Sequence, residues 1–70
     1  MNITYFHDTD TLLINFSKNT IVDTQEINEN TIIELDNSGN VVSMTIEHAK
    51  NKTEINSLSF NQILEKLVAV

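Results

Sequence analysis

Thr31–His48 reads TIIELDNSGNVVSMTIEH, two β-type runs on either side of a cluster that holds the only glycine of the chain, Gly39. In the second run Val42, Met44 and Ile46 alternate with Ser43, Thr45 and Glu47, the two-residue period of a half-buried strand. The first run sets Ile33 and Leu35 against Ile32 and Glu34. Between the runs, Asp36 and Asn37 can accept hydrogen bonds from nearby backbone, and Gly39 takes a positive φ without a Cβ clash. That chemistry predicts a hairpin closed by a type I turn, with Gly39 left-handed and forming a bulge. Asp36, Ser38 and Asn40 also have the spacing of the first half of a calcium loop. Such a loop needs a bidentate acid near its end, and no Glu or Asp follows before Glu47.

Upstream, Ile3–Phe6 and Thr11–Phe16 are β-type segments joined by the polar turn His7-Asp8-Thr9-Asp10, which predicts a second hairpin. Leu12, Ile14 and Phe16 share one of its faces, Leu13 and Asn15 the other. Ser17–Thr20 breaks the pattern, and Ile21-Val22 offers a brief third pairing. Asp23–Asn30 is acidic and reads equally as an edge strand or a loop; charges on an edge discourage stray strand pairing. Downstream, residues 50–56 form a polar connector. In residues 57–68 the period changes: Phe60, Ile63, Leu64 and Leu67 recur at helical spacing. Ser59 with Gln62 three positions on makes a capping-box pattern, with Leu58 and Ile63 placed as a hydrophobic staple. The expected architecture is α+β in one domain, 1–70. It consists of a small antiparallel β-meander of two hairpins and three to five strands over residues 1–49, and one C-terminal amphipathic helix packed on the sheet.

A chain of 70 residues buries only about 60% of its extended surface, so burial and chain entropy nearly cancel. With no cysteine, neither a disulfide nor a thiolate metal site can help, which leaves oligomerisation as the common remedy. The surplus apolar residues Leu13, Ile32, Val41, Val68 and Val70 would supply its interface. No basic leader and no apolar run of membrane-spanning length is present, so the expected location is the cytoplasm. Net charge is −6, with ten acids, four lysines and no arginine. Asp23, Glu26, Glu29, Glu34, Asp36 and Glu47 fall between Asn19 and Ala49, where there is no lysine. Phosphate neutralisation needs clustered Lys or Arg, and bidentate guanine readout needs arginine, so direct nucleic-acid binding is disfavoured. An anionic surface instead steers toward a basic protein. Glu26, Glu29 and Glu34, with Phe60, Leu64 and Leu67 of the terminal segment, are the candidate partner-binding residues.

Chemistry has few footholds. His7, Asp8 and Asp10, with His48 as a further ligand, are the candidates for a divalent metal or for acid–base work. The competing reading is a hydrophilic turn in which Asp10 caps backbone donors. Glu47 and His48 are adjacent and point to opposite faces of a strand, so they form no dyad. His48 is in phase with Met44 and Ile46, which predicts a partly buried histidine at the strand end. No serine lies in a nucleophile elbow, one glycine cannot build a phosphate loop, and the chain is too short to enclose a large pocket. The expectation is therefore no enzyme and no cofactor.

Tyr5…Asp10-x-Leu12-x-Ile14, Glu26 and Ile32-Ile33-x-x-Asp36-x-x-Gly39-x-x-Val42…Ile46-x-x-Ala49 together resemble the small prokaryotic family known as domain of unknown function 2283. The match runs without gaps over Tyr5–Ile14 and Glu26–Ala49. Phe6 stands where that family usually has Asp, Leu13 where it has Tyr, and Ser43 and Thr45 where it has Gly and Glu. The resemblance implies a compact β-rich domain, often encoded beside small toxin-like proteins of ribonuclease-type fold, and hence an antitoxin-like role. The functional expectation is a small acidic protein-binding module acting on a basic partner such as a small ribonuclease-like toxin. The alternatives are a stand-alone homo-oligomer and a metal-binding protein.

Overall fold

The structure, a computed structural model, describes residues 1–63. Five strands, β1 (Asn2–Phe6), β2 (Thr11–Asn15), β3 (Asp23–Asn28), β4 (Thr31–Leu35) and β5 (Val41–Glu47), precede one helical turn, α1 (Ala49–Lys52). Both hairpins form where alternation and turn chemistry place them. All pairings are antiparallel, and Asp23–Asn28 resolves as a strand rather than a loop.

The sheet order is β1-β2-β5-β4-β3, not a sequential meander. After β2 the chain passes β5 and β4 and returns along the far edge, so β2 to β5 form a Greek key. Composition explains the order. β5 carries the longest apolar alternation and takes the centre, whereas β3 (DTQEIN) is exposed at every position and tolerates only an edge. The β2–β3 connection is tied to the sheet as it passes. Phe16 N donates to Val42 O at 2.8 Å and Val22 N to Leu35 O at 2.9 Å, so Val22 makes the brief pairing suggested by its sequence.

Register divides the side chains between two faces. Ile3, Ile14, Met44, Ile33 and Gln25 stand in one cross-strand row, and Tyr5, Leu12, Ile46 and Thr31 in a neighbouring row of the same apolar face. The opposite face has Thr4, Leu13, Thr45, Ile32 and Glu26 in one row and Asn2, Asn15, Ser43, Glu34 and Thr24 in another. Cross-strand apolar pairs of this kind contribute about 0.2–1 kcal/mol each.

Neither face is sealed. β2 and β4 are half-exposed along their whole length, and the buried hydrophobic residues among those described are Val42 and Ala49 alone. Val42 is the extra residue where the β4–β5 register shifts next to Leu35. The segment after α1 crosses the apolar face, where Ile55 and Leu58 share a groove with Ile3, Leu12 and Ile14.

The helix expected over residues 57–68 is absent from the described part of that range, since residues 57–63 are non-helical. Phe60 and Ile63 are exposed there, and Ser59 Oγ accepts from Asn61 Nδ2 at 3.4 Å instead of capping a helix. Leu64 and Leu67 lie outside the described residues. The helical turn falls at Ala49–Lys52, at the edge of the expected connector. No helix of the described residues is long and apolar enough to cross a membrane.

Candidate functional site

Two carboxylates, one at each end of the sheet, organise the local geometry. Asp10 closes the β1–β2 turn, where its N–H donates to His7 O at 3.4 Å, and its backbone is left-handed at φ 51°. Oδ1 of Asp10 accepts the Tyr5 hydroxyl at 2.6 Å and the Lys50 N–H at 3.1 Å, and its carbonyl accepts Ala49 N–H at 3.0 Å. Asp10 thus satisfies the first backbone donors of α1, which His48, the residue before that turn, leaves uncapped by its own side chain. The donated Tyr5 hydrogen bond, with lesser help from the Lys50 N–H, holds the Asp10 carboxyl below the usual range. The same bond, then burial and the Asp10 charge, push the Tyr5 phenol up to about 12.

At the other end, buried Asp36 locks the β4–β5 turn. Its Oδ1 accepts Ser38 N–H and Asn40 N–H, each at 2.9 Å, and its Oδ2 accepts Asn19 Nδ2 at 2.9 Å from the β2–β3 connection. Gly39, at φ 81°, donates its N–H to Asp36 O at 3.0 Å, the i to i+3 bond expected of the turn. The Asn40 backbone bond and then the Asn19 amide hold the Asp36 carboxyl below its ordinary value. A carboxylate surrounded by these donors serves the fold, as the plain-turn reading of this cluster predicts.

The candidate metal ligands do not assemble into a centre. His7 and Asp8 are exposed on the turn, and the His7 ring lies edge-on to Tyr5 at 4.8 Å between centroids. Asp10 is drawn to Tyr5 and the start of α1, as the capping alternative has it. His48 is exposed at φ 54°, not partly buried, because the chain leaves the strand direction there to enter α1. Among the described residues no three His, Cys, Asp or Glu side chains gather as a cation site.

The candidate partner-binding acids are brought closer together. Glu26 and Glu34 share the face opposite the apolar one, with Glu47 on the same side of β5. Glu29 is exposed in the β3–β4 turn and lines a shallow groove with Glu47 and Lys52. Ser43 Oγ, itself buried, donates to Glu34 Oε1 at 2.6 Å across β4 and β5. The apolar members of this face are Phe6, Leu13 and Ile32, and none of its strand positions is a lysine, Lys52 of α1 lying at the end of the face beside Glu29 and Glu47. Phe60 sits elsewhere, exposed beside Met1 and Ile3 at the β1 edge.

Sequence reading left Tyr5 and Ser43 without a role and weighed Asp36 as a turn former against half of a calcium loop, without seeing its bond to Asn19. The signal for two of them was present, since Tyr5 and Asp36 both belong to the pattern that carries the resemblance. No match was found among curated proteins or among solved structures. The model of one family, described as Protein of unknown function (DUF2283), matches residues 2–50, which span all five strands, and the chain belongs to that family.

Proposed function

We propose that the chain is a non-enzymatic protein-binding module of the cytoplasm whose acidic sheet face docks a basic protein, in the manner of an antitoxin masking its toxin. The observation that carries this reading is the register. It places Glu26, Glu34 and Glu47 around Leu13 and Ile32 on one face, while the segment after α1 runs over the other. An apolar centre with acids along its β3–β5 side suits a partner whose lysines and arginines lie beside an apolar patch. The charges would set encounter rate and orientation, and the apolar centre the residence time.

The test is capture from lysate of the native host on the immobilised chain, with the retained proteins identified by mass spectrometry. A basic protein should be retained at low salt, released as salt rises, and lost when Glu26→Lys and Glu47→Lys are introduced together. Recovery of the chain with no basic protein, or capture indifferent to both substitutions, would refute the proposal.

A further inference from the structure

The two edges of the sheet differ in a way that the acidic face does not explain. β3 is defended. It carries Asp23 and Glu26, and its register with β4 shifts around Ile27. Charges and bulges are the ordinary means by which an edge refuses another strand. β1 (NITYF) has neither. It holds no charged residue and no bulge, and no backbone group of another described segment bonds its outer side.

Exposed apolar side chains also concentrate beside β1. Met1, Ile3, Phe6, Leu58 and Phe60 are 71, 42, 46, 71 and 76% exposed. Phe60 shares a groove with Met1 and Ile3, and Leu58 shares one with Ile3 and Tyr5.

We infer that β1 is a self-association edge, which pairs antiparallel with β1 of a second copy about a two-fold axis at Thr4 and joins two sheets into one of ten strands. Pairing Asn2–Phe6 over its full length sets Thr4 opposite the partner's Thr4 and Ile3 opposite the partner's Tyr5. Thr–Thr and aromatic–β-branched pairs are both favourable across antiparallel strands. No like charges meet, an advantage for a chain of net charge −6.

The exposed fractions of the five apolar side chains amount to about three whole large residues per copy. At about 200 Å² each, two copies offer at most roughly 1,200 Å² of apolar surface, the small end of specific interfaces, so the strand pairing itself must supply much of the affinity. A second copy is favoured over an unrelated strand because an identical edge supplies the matching apolar flank on both faces. A two-fold contact also closes, so both copies are used up and no open edge of this kind remains.

The experiment is sedimentation velocity on the full chain across dilution, with far-UV circular dichroism to verify the sheet. The wild type should sediment as a dimer at tens of micromolar. Thr4→Lys sets two ammonium groups face to face at the axis and should weaken the dimer at least tenfold, as should Thr4→Glu through its carboxylates. Mixing the two variants should restore a 1:1 dimer, which misfolded chains would not do. Gln25→Lys, on the other edge, should leave the assembly unchanged. A wild type that stays monomeric at 100 µM, a Thr4→Lys dimer of undiminished affinity, or no recovery on mixing would overturn the proposal. Self-association is measured without any partner, so its failure would leave the acidic-face reading standing, and the reverse also holds.

Discussion

The hydrogen bond between Tyr5 and Asp10 can be read directly, because the chain has one tyrosine and no tryptophan. The phenol donates at 2.6 Å to a carboxylate that is ionised at any pH where tyrosine titrates. Removing the proton would forfeit that donated bond first of all, would strand the phenolate in a partly buried place, and would leave two anions in contact; together these push the phenol up to about 12 from an ordinary value of about 10. Asp10→Asn isolates the cause. The amide still offers an oxygen at the same place, and asparagine is among the residues that tolerate the left-handed backbone at φ 51°, so the fold should survive while the charge goes. Phenolate absorbance near 295 nm, followed between pH 8 and 13, gives the ionisation of this one residue. Far-UV circular dichroism in the same samples marks the range over which the sheet persists. The folded wild type should ionise near 12, and the wild type in 6 M guanidinium near 10. Folded Asp10→Asn keeps an acceptor but loses the charge, so it should fall part of the way back toward 10. The sign for stability follows: a raised phenol stabilises the fold fully below pH 10, and that contribution is lost as pH rises through 12. A folded wild type that titrates at 10, or an Asp10→Asn variant that still titrates near 12, would show that the carboxylate does not hold the phenol.

Gly39 sits at φ 81° with nothing within 4 Å of where a Cβ would stand, so the cost of a side chain there is backbone strain alone. Gly39→Ala should destabilise by about 1 kcal/mol, lowering the melting temperature by about 4–8 °C for a domain of this size, and Gly39→Asn by less. Val42 is 3% exposed, and Val42→Ala removes two methyl groups and leaves a small void, a loss of about 2 kcal/mol measurable as a lower urea midpoint with unchanged slope. Asp10 and Asp36 are both held below the ordinary carboxylate range. Their contribution is therefore present above about pH 4 and should disappear as pH falls through their depressed values; Asp36→Asn should flatten that acid limb in a chemical denaturation series between pH 2 and 6.

Both hairpins were legible because alternation is a local signal and each turn announced itself, Asp36 to Asn40 by its composition and His7 to Asp10 by polarity between apolar runs. Strand order was not legible. The alternation of Leu12, Ile14, Met44 and Ile46 says which residues share a face but not which strands are neighbours, so nothing local showed that β5 would separate β2 from β4. The helix assignment failed for a related reason. Ser59, Gln62, Phe60 and Ile63 satisfy the pattern of a helix start, yet a short isolated helix is marginal without tertiary support, and residues 57–63 form no helix, with Leu58 in the groove of the apolar face and Phe60 beside Met1 and Ile3 instead. The turn that does form, Ala49–Lys52, has no cap in its own sequence. Its donors are satisfied by Asp10, whose carboxylate lies 40 residues from Lys50 along the chain, a pairing that only the assembled sheet creates.

The residues that carry membership in the family are joints: Tyr5 and Asp10 fasten one end of the sheet to α1, Asp36 and Gly39 close the other, and Val42 and Ala49 fill what core there is. Such positions specify a scaffold and are compatible with many partners. The positions where the chain leaves the family pattern behave differently. Phe6, Leu13, Ser43 and Thr45 come from three strands, yet all four fall on the acidic face and none on the apolar one. By the pattern that the resemblance implies, Phe6 and Thr45 stand in place of an acid and Leu13 in place of a Tyr. The face therefore keeps its charge at Glu26, Glu34 and Glu47 but is more apolar at its centre than the pattern implies. Under the docking reading proposed above, that centre calls for a partner with an apolar patch beside its basic residues, so Leu13→Asn should speed release of any such partner far more than it slows capture.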